Sequence, residues 1–218
     1  ASAAEAELLE RRLGPLYDAI DSRQYKQALR LADAALKKHE GSAILLALKA
    51  LALWRGGRKA EALNLCDEVR SRGGASLEPH TISVLGMTYG PAGRHDAAAE
   101  LYEAAAAADP RDTELQAQLF RAHARASQWA KCQGVATRLF RLTAREEHLM
   151  WAVTAVVLQV ESGGADSRLL ELAEGLLRRR AESVEGLGTQ DAVMMYCRVL
   201  ERLGRPGDAL AYVRGAGA

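Results

Sequence analysis

The stretch GMTYGPAGRHDAAAELYEAAAAADP, from Gly86 to Pro110, holds small residues, two tyrosines and a closing proline at set intervals. Written out from one residue earlier, it reads Leu85-Gly86-x2-Tyr89, then Ala98-x3-Tyr102-x2-Ala105-x4-Pro110. Two antiparallel helices approach closely only where facing positions are small. That spacing puts Gly86 and Ala98 at a helix crossing, with Tyr89 and Tyr102 filling the gaps beside it. Pro110 follows the second helix, where a residue without an N–H cannot extend it and the chain turns.

The same unit recurs. Tyr25-x2-Ala28-x3-Ala32-x2-Ala35 precedes it, and 34 residues after Ala28 comes Ala62 in Gly57-Arg-Lys-Ala-Glu-Ala62-Leu-x2-Cys66. Gly93-Arg-His-Asp-Ala-Ala98 repeats the turn after an expansion containing Pro91. A further 34 residues lead to Cys132 in Ser127-Gln-Trp-Ala-Lys-Cys132, and Leu203-Gly-Arg-Pro-Gly-Asp-Ala209 repeats the turn near the end. A helix–turn–helix unit of this length is the tetratricopeptide pattern. It predicts helices near 24–38, 42–55, 58–72, 77–90, 94–108, 112–126, 129–142, 146–161, 166–182, 189–203 and 206–214, with an N-terminal helix over 5–20 interrupted or restarted at Pro15. No segment alternates with period two, so no sheet is expected. The expected fold is all-α, a single α-solenoid over 1–218 built of about six helix pairs, each burying a face against the next.

Composition agrees. The 218 residues are 49% apolar but only 5% aromatic, and the dominance of alanine and leucine favours helix. The 29 Lys+Arg nearly balance 28 Asp+Glu, so no global field points to nucleic acid or to an acidic surface. Three scattered cysteines (Cys66, Cys132, Cys197) suit a reducing compartment rather than a disulfide framework. The start, ASAAEAELLE, lacks the features of a signal peptide. The most apolar window, Leu149 to Val160, is shorter than the ~18 residues of a membrane span. A soluble cytoplasmic protein without membrane or DNA partners is the expectation. Two features stand apart. The helix over 146–161 is apolar nearly all round, so it is either buried on all sides or kept for a partner. The chain also reaches Ala218 straight after a second helix, without the polar cap that solenoids need, so a longer protein is expected.

No chemistry-bearing constellation emerges. Arg70-Ser-Arg-Gly73-Gly-Ala75 fits the pyrophosphate loop of acetyl-coenzyme A transferases in letters, but it ends a helix instead of following a strand. It reads as a glycine C-cap with arginines favoured by the helix dipole. The histidines form no HxH or HxxxH pair, and Cys66 and Cys132 fall on packing positions. No catalytic, cofactor-binding or metal-binding residue is expected.

Binding remains. Tetratricopeptide arrays hold partners along the face lined by their first helices. The subtype that grips a C-terminal carboxylate uses Lys and Asn at the fifth and ninth positions of those helices. Here those positions hold Leu13 and Tyr17, Ala47 and Leu51, Ser83 and Met87, and Ala117 and Arg121, which leaves a carboxylate little to hold. Tyr17, Met87, Arg121 and Trp151 are the candidate partner-binding residues. Arg11-Arg12 and Arg178-Arg179-Arg180 are candidate ribosome contacts, against the plainer reading of a solubilising edge that complements a helix C-terminus.

One family resemblance stands out. Arg11-Arg12-Leu13-x-Pro15-x-Tyr17-Asp18-Ala19-Ile20-Asp21, then Lys26-x-Ala28-Leu29-x2-Ala32-Asp33-x2-Leu36-Lys37-Lys38-His39, closely resembles the start of the auxiliary subunit of N-terminal acetyltransferase B. Leu101-Tyr102-Glu103-Ala104-Ala105 and Leu200-Glu201-Arg202-Leu203-Gly204, with Ala209-Leu210 and Val213-Arg214-Gly215, are similar to later segments of that family. The segment at Gly73–Glu78 and the Gly90-Pro-Ala-Gly93 turn depart from it. The resemblance implies a long non-catalytic scaffold that wraps and stabilises a small acetyltransferase subunit and helps place it at the ribosome. The partner would acetylate nascent chains beginning Met-Asp, Met-Glu, Met-Asn or Met-Gln. The auxiliary subunit of N-terminal acetyltransferase A shares the fold, and a general peptide-binding adaptor would share the repeats; the opening block favours the B type.

Overall fold

A computed structural model describes residues 13–73, 77–183 and 186–216. A first helix, α1, covers 13–21. It is followed by α2 (Tyr25–Leu36), α3 (Ala43–Arg55), α4 (Lys59–Gly73), α5 (Pro79–Tyr89), α6 (His95–Ala108), α7 (Thr113–Arg125), α8 (Trp129–Thr143), α9 (Glu146–Glu161), α10 (Leu169–Ala181), α11 (Gln190–Arg202) and α12 (Pro206–Ala216). The described residues contain no strand, and none of their helices is long and apolar enough to cross a membrane. The chain divides into two compact units, Ala1–Pro110 with α1–α6 and Arg111–Ala218 with α7–α12. Each is a short α-solenoid of tetratricopeptide-like helix pairs, the all-α class expected. From α2 onward the expected boundaries hold to within three residues, the largest shift being the start of α10 at Leu169 instead of 166. The described part of α1 runs through Pro15.

One turn is repeated through both units. Arg23, Gly57, Gly93, Ser127 and Gly204 all have positive φ, from 55° to 87°. Each lies five residues before the small residue that marks a second helix: Ala28, Ala62, Ala98, Cys132 and Ala209. The next residue's N–H reaches back five residues, as in Gln24 to Ala19 (2.8 Å), Arg58 to Leu53 (2.9 Å) and Arg205 to Leu200 (2.9 Å). This is the six-to-one closure that satisfies a helix's last carbonyls and requires a left-handed residue, which glycine adopts without steric cost. The 34-residue period is thus a period of turns as much as of packing.

Each unit is built round an apolar helix. In the first, α3 packs against α2, α4 and α5 and buries Ile44, Leu45, Ala47, Leu48, Ala50, Leu51, Ala52 and Leu53. In the second, α9 packs against α8, α10 and α11, and Leu149, Val153, Val156 and Val157 join Leu170, Leu177, Tyr196 and Leu200 in one core. The all-round apolarity of 146–161 is therefore explained mostly by burial inside its own unit. Ala28, Ala62, Cys66 and Cys132 are fully buried, as their spacing predicts.

The crossing inferred from the opening stretch is looser than expected. A methyl group added at Gly86 would meet only the Tyr102 hydroxyl, 4.0 Å away, and Ala98 is half-buried. Tyr102 fills the space that a tight crossing would have closed. The close approach is at Gly73 instead, where an added Cβ would lie 2.2 Å from Leu77 Cδ2. Gly73 is the last residue of α4, while Gly74 and Ala75 of the rejected phosphate loop lie outside the described residues.

Candidate partner-binding surfaces

Two of the four nominated binding residues meet in the second unit. Trp151 on α9 stacks on Phe120 of α7, with ring centroids 4.6 Å apart and planes at 15°. The Arg121 guanidinium lies 5.8 Å from the Trp151 ring centre and pairs with Glu114 at 3.7 Å. His148 presents its ring edge-on to Trp151 at 5.0 Å, and its Nδ1 lies 2.7 Å from the Thr143 hydroxyl. Burial lowers the His148 pKa, so the ring stays neutral near pH 7. The one-turn periodicity of α7 and α9 places these side chains on adjacent first helices. Phe120 and Trp151 remain half-exposed while Arg121 is exposed. A flat aromatic pair edged by a cation is suited to an apolar or aromatic side chain that carries a neighbouring acidic group.

The other two belong to the first unit. Tyr17 on α1 is half-buried; its hydroxyl bonds His80 Nε2 at 2.5 Å, and the two rings meet edge-on at 5.9 Å. Burial, and then Asp21, raise the Tyr17 pKa. Met87 on α5 is 49% exposed.

Of the nominated cations, Arg11 and Arg12 lie outside the described residues. Arg178, Arg179 and Arg180 form the last turn of α10, where positive charge suits the helix dipole. Arg178 lies 3.9 Å from the buried Glu174, which Arg205 also reaches at 3.3 Å. Arg180 Nε lies 3.4 Å from Glu146, a carboxylate that also accepts from the Gly188 N–H (2.9 Å) and the Thr189 hydroxyl (3.2 Å). Burial alone would raise the Glu146 pKa, but these donors together hold it below the usual carboxylate range. Arg180 therefore helps to fasten the loop before α11, and Arg179 is exposed.

Two surfaces escaped the sequence reading. An open groove of about 990 Å³ beside α11 and α12 is lined by Met194, Met195, Cys197, Arg198, Arg202 and Val213, with Met194 62% exposed. A second groove, of about 590 Å³, lies at the α1–α2 turn and is lined by Arg23, Gln24, Tyr25, Lys26, Arg30 and Gly56. Its cations are separated by uncharged residues, so no basic run announces them.

No group of three or more potential metal ligands gathers among the described residues. Burial pushes the Cys66 thiol up to about 12 and the Cys132 thiol up to about 11, which leaves both as protonated core residues.

A family model described as "Psidin, N-terminal TPR repeats region" matches residues 10–217. The chain belongs to the Psidin N-terminal tetratricopeptide-repeat family. All the surfaces above lie within the matched Psidin region. A protein of Arabidopsis thaliana named N-terminal acetyltransferase B complex auxiliary subunit NAA25 is 35% identical over 210 residues, which are 94% of this chain and 20% of that protein. The Homo sapiens protein named N-alpha-acetyltransferase 25, NatB auxiliary subunit, is 32% identical over 213 residues, 94% of this chain and 21% of its own length. The resemblance carried by the Arg11–His39 block is thus borne out, and the chain spans about a fifth of these curated relatives. A solved structure of Naa15/Naa10 bound to HypK-THB matches with a TM-score of 0.56 at 17% identity, covering 95% of this chain and 36% of that one. At that identity the likeness speaks for the helical-repeat fold.

Proposed function

We propose that this Psidin-family chain is part of the non-catalytic scaffold of the N-terminal acetyltransferase B complex. It binds and stabilises the small catalytic subunit and helps place it at the cytoplasmic ribosome, where Met-Asp, Met-Glu, Met-Asn and Met-Gln nascent chains are acetylated from acetyl-coenzyme A. The observation that carries this reading is the 32–35% identity over 94% of the chain to proteins named as that complex's auxiliary subunit. The Phe120–Trp151–Arg121 platform, Tyr17 and Met87 supply protein-contact surface. Arg11, Arg12 and Arg178–Arg180 supply cations for the ribosome.

Coexpression of the full-length protein with the cognate small subunit tests the reading. Copurification is expected, together with acetylation of Met-Asp and Met-Glu peptides that depends on both chains. A full-length protein that neither copurifies nor supports that acetylation would sink the proposal. For the ribosome arm, Arg178→Glu, Arg179→Glu and Arg180→Glu together should weaken salt-sensitive cosedimentation; unchanged cosedimentation removes that cluster from the ribosome contact.

A further inference from the structure

We propose that the groove at the α1–α2 turn binds the phosphate backbone of single-stranded nucleic acid, RNA under the scaffold reading, through Arg23, Lys26 and Arg30. All three cations are exposed, all line the groove, and none makes an ion pair among the described residues. Lys26 and Arg30 stand at i and i+4 on α2, with Cβ atoms roughly 5–6 Å apart, and Arg23 lines the same groove from the turn that precedes the helix. Gln24 and Tyr25 line the same groove and offer an amide donor and an aromatic face. Asp21, which lines the adjoining groove with Arg23 and Tyr25, is engaged by Arg55 at 3.3 Å, and Asp33 further along α2 by Lys49 at 2.7 Å.

Folding stability does not account for this arrangement. The first turn of α2 contains no acidic residue and its N-cap makes no side-chain bond, so the positive end of the helix dipole is uncompensated where Lys26 adds to it. The equivalent second helices α4, α6 and α12 carry Glu61, Asp96 and Asp208 in that turn. Lys131 in α8 is engaged by other groups. Arg23 moreover holds the left-handed turn position at φ 59° that Gly57 and Gly204 fill elsewhere. Each choice opposes local stability, and each raises the local positive potential, the pattern expected where sequence serves binding. Arg178–Arg180 is the converse: its charges complement the dipole, and two of the three already face carboxylates.

The chemistry favours a phosphate strand over a protein or a lipid surface. Arginine forks match phosphate oxygens, and three cations gathered along one groove suit a negatively charged strand. A protein hot spot or a bilayer would want an exposed apolar anchor. Among the described residues the exposed large hydrophobic ones are Met87, Leu142, Leu172, Met194, Leu210 and Val213, none of them on α1 or α2.

The test is fluorescence anisotropy of a labelled 20-mer oligouridine with the full chain across a salt series. Replacing Arg23, Lys26 and Arg30 together by Gln should weaken binding at least about tenfold at low salt. It should also flatten the log–log salt slope by about 2, at about 0.7 per cation for a single strand. Gln at the exposed Arg125, Arg141 and Arg214 should change neither. Equal loss in that control, or an unchanged triple variant, would overturn the proposal. So would displacement of oligouridine by polyglutamate as readily as by unlabelled oligouridine, which would assign the site to an acidic protein. If the triple variant does not fold by circular dichroism, Arg30→Gln alone should still flatten the slope by about 0.7, and an unchanged slope there overturns it as well. Catalytic-subunit capture is not part of this measurement, so its failure and that of the scaffold reading are separately visible.

Discussion

The two units each fasten a stretch of chain with one partly buried carboxylate, and they do so in opposite ways. In the first, Asp67 on α4 accepts from the Tyr89 hydroxyl at 2.8 Å and from Arg94 at 2.7 Å, joining one helix pair to the turn of the next. Arg94 also lies over the Tyr89 ring at 5.3 Å. In the second, Glu146 at the start of α9 collects a backbone N–H, a hydroxyl and Arg180, from residues 34 to 43 positions away. The first node is made of side chains set on regular elements. The second holds an irregular loop whose backbone has no helix to satisfy it, and its side chain is less exposed (14% against 37%). A carboxylate that satisfies loop backbone is harder to replace than one that joins two helices already packed by their apolar faces.

The largest expected effect breaks that comparison directly. Glu146→Ala should cost about 2–3 kcal/mol, because it leaves the Gly188 N–H, Thr189 and Arg180 without their acceptor. Asp67→Ala should cost less, about 1–2 kcal/mol, since Asp67 is the more exposed carboxylate and the helices it joins are already packed by their apolar faces. Urea titration of both variants checks the order, and equal costs would erase the distinction. The same nodes set an acid limit. For Asp67, burial pulls the pKa up but bonds from Arg94 and Tyr89 outweigh it, so both carboxylates titrate lower folded than unfolded. Their contribution is complete above the unfolded range near about pH 4 and fades as pH falls through the folded values. The melting temperature should drop below about pH 4.5, and less steeply in Glu146→Gln and Asp67→Asn than in the parent chain.

The shared turn should respond alike in both units. Gly57→Ala in the first and Gly204→Ala in the second should each cost about 1 kcal/mol, because a Cβ is strained at positive φ. Ser127→Gly should gain up to about 0.5–1 kcal/mol at the same turn, and thermal melts would show a difference between units if one exists. The smallest effect is expected at Gly86→Ala, within about 0.5 kcal/mol, because the added methyl has room. A large loss there would restore the tight crossing.

Most of the architecture was legible because it is local and repeated. The helix boundaries, the five-residue step from turn to small residue, and the burial of Cys66 and Cys132 all follow from chain-neighbour chemistry. The candidate surfaces were legible only in part. Arg121 and Trp151 could be nominated from their places on first helices, but the stack of Trp151 on Phe120 joins residues 31 apart and has no linear signature. Arg178–Arg180 stood out as a run, yet Glu146 and Glu174 answer two of its charges. Arg23, Lys26 and Arg30 do not look like a cluster until the turn and the helix bring them to one groove.

By itself the sequence determined the all-α repeat, its period and the family resemblance of the Arg11–His39 block, because propensity, turn chemistry and one-turn spacing act over a few residues. Only the tertiary structure decided which charges are already answered, which apolar face is covered, and where a glycine is tight. Those depend on distances between residues far apart in the chain, and a carboxylate a full repeat away can neutralise a cation that its own neighbours leave free.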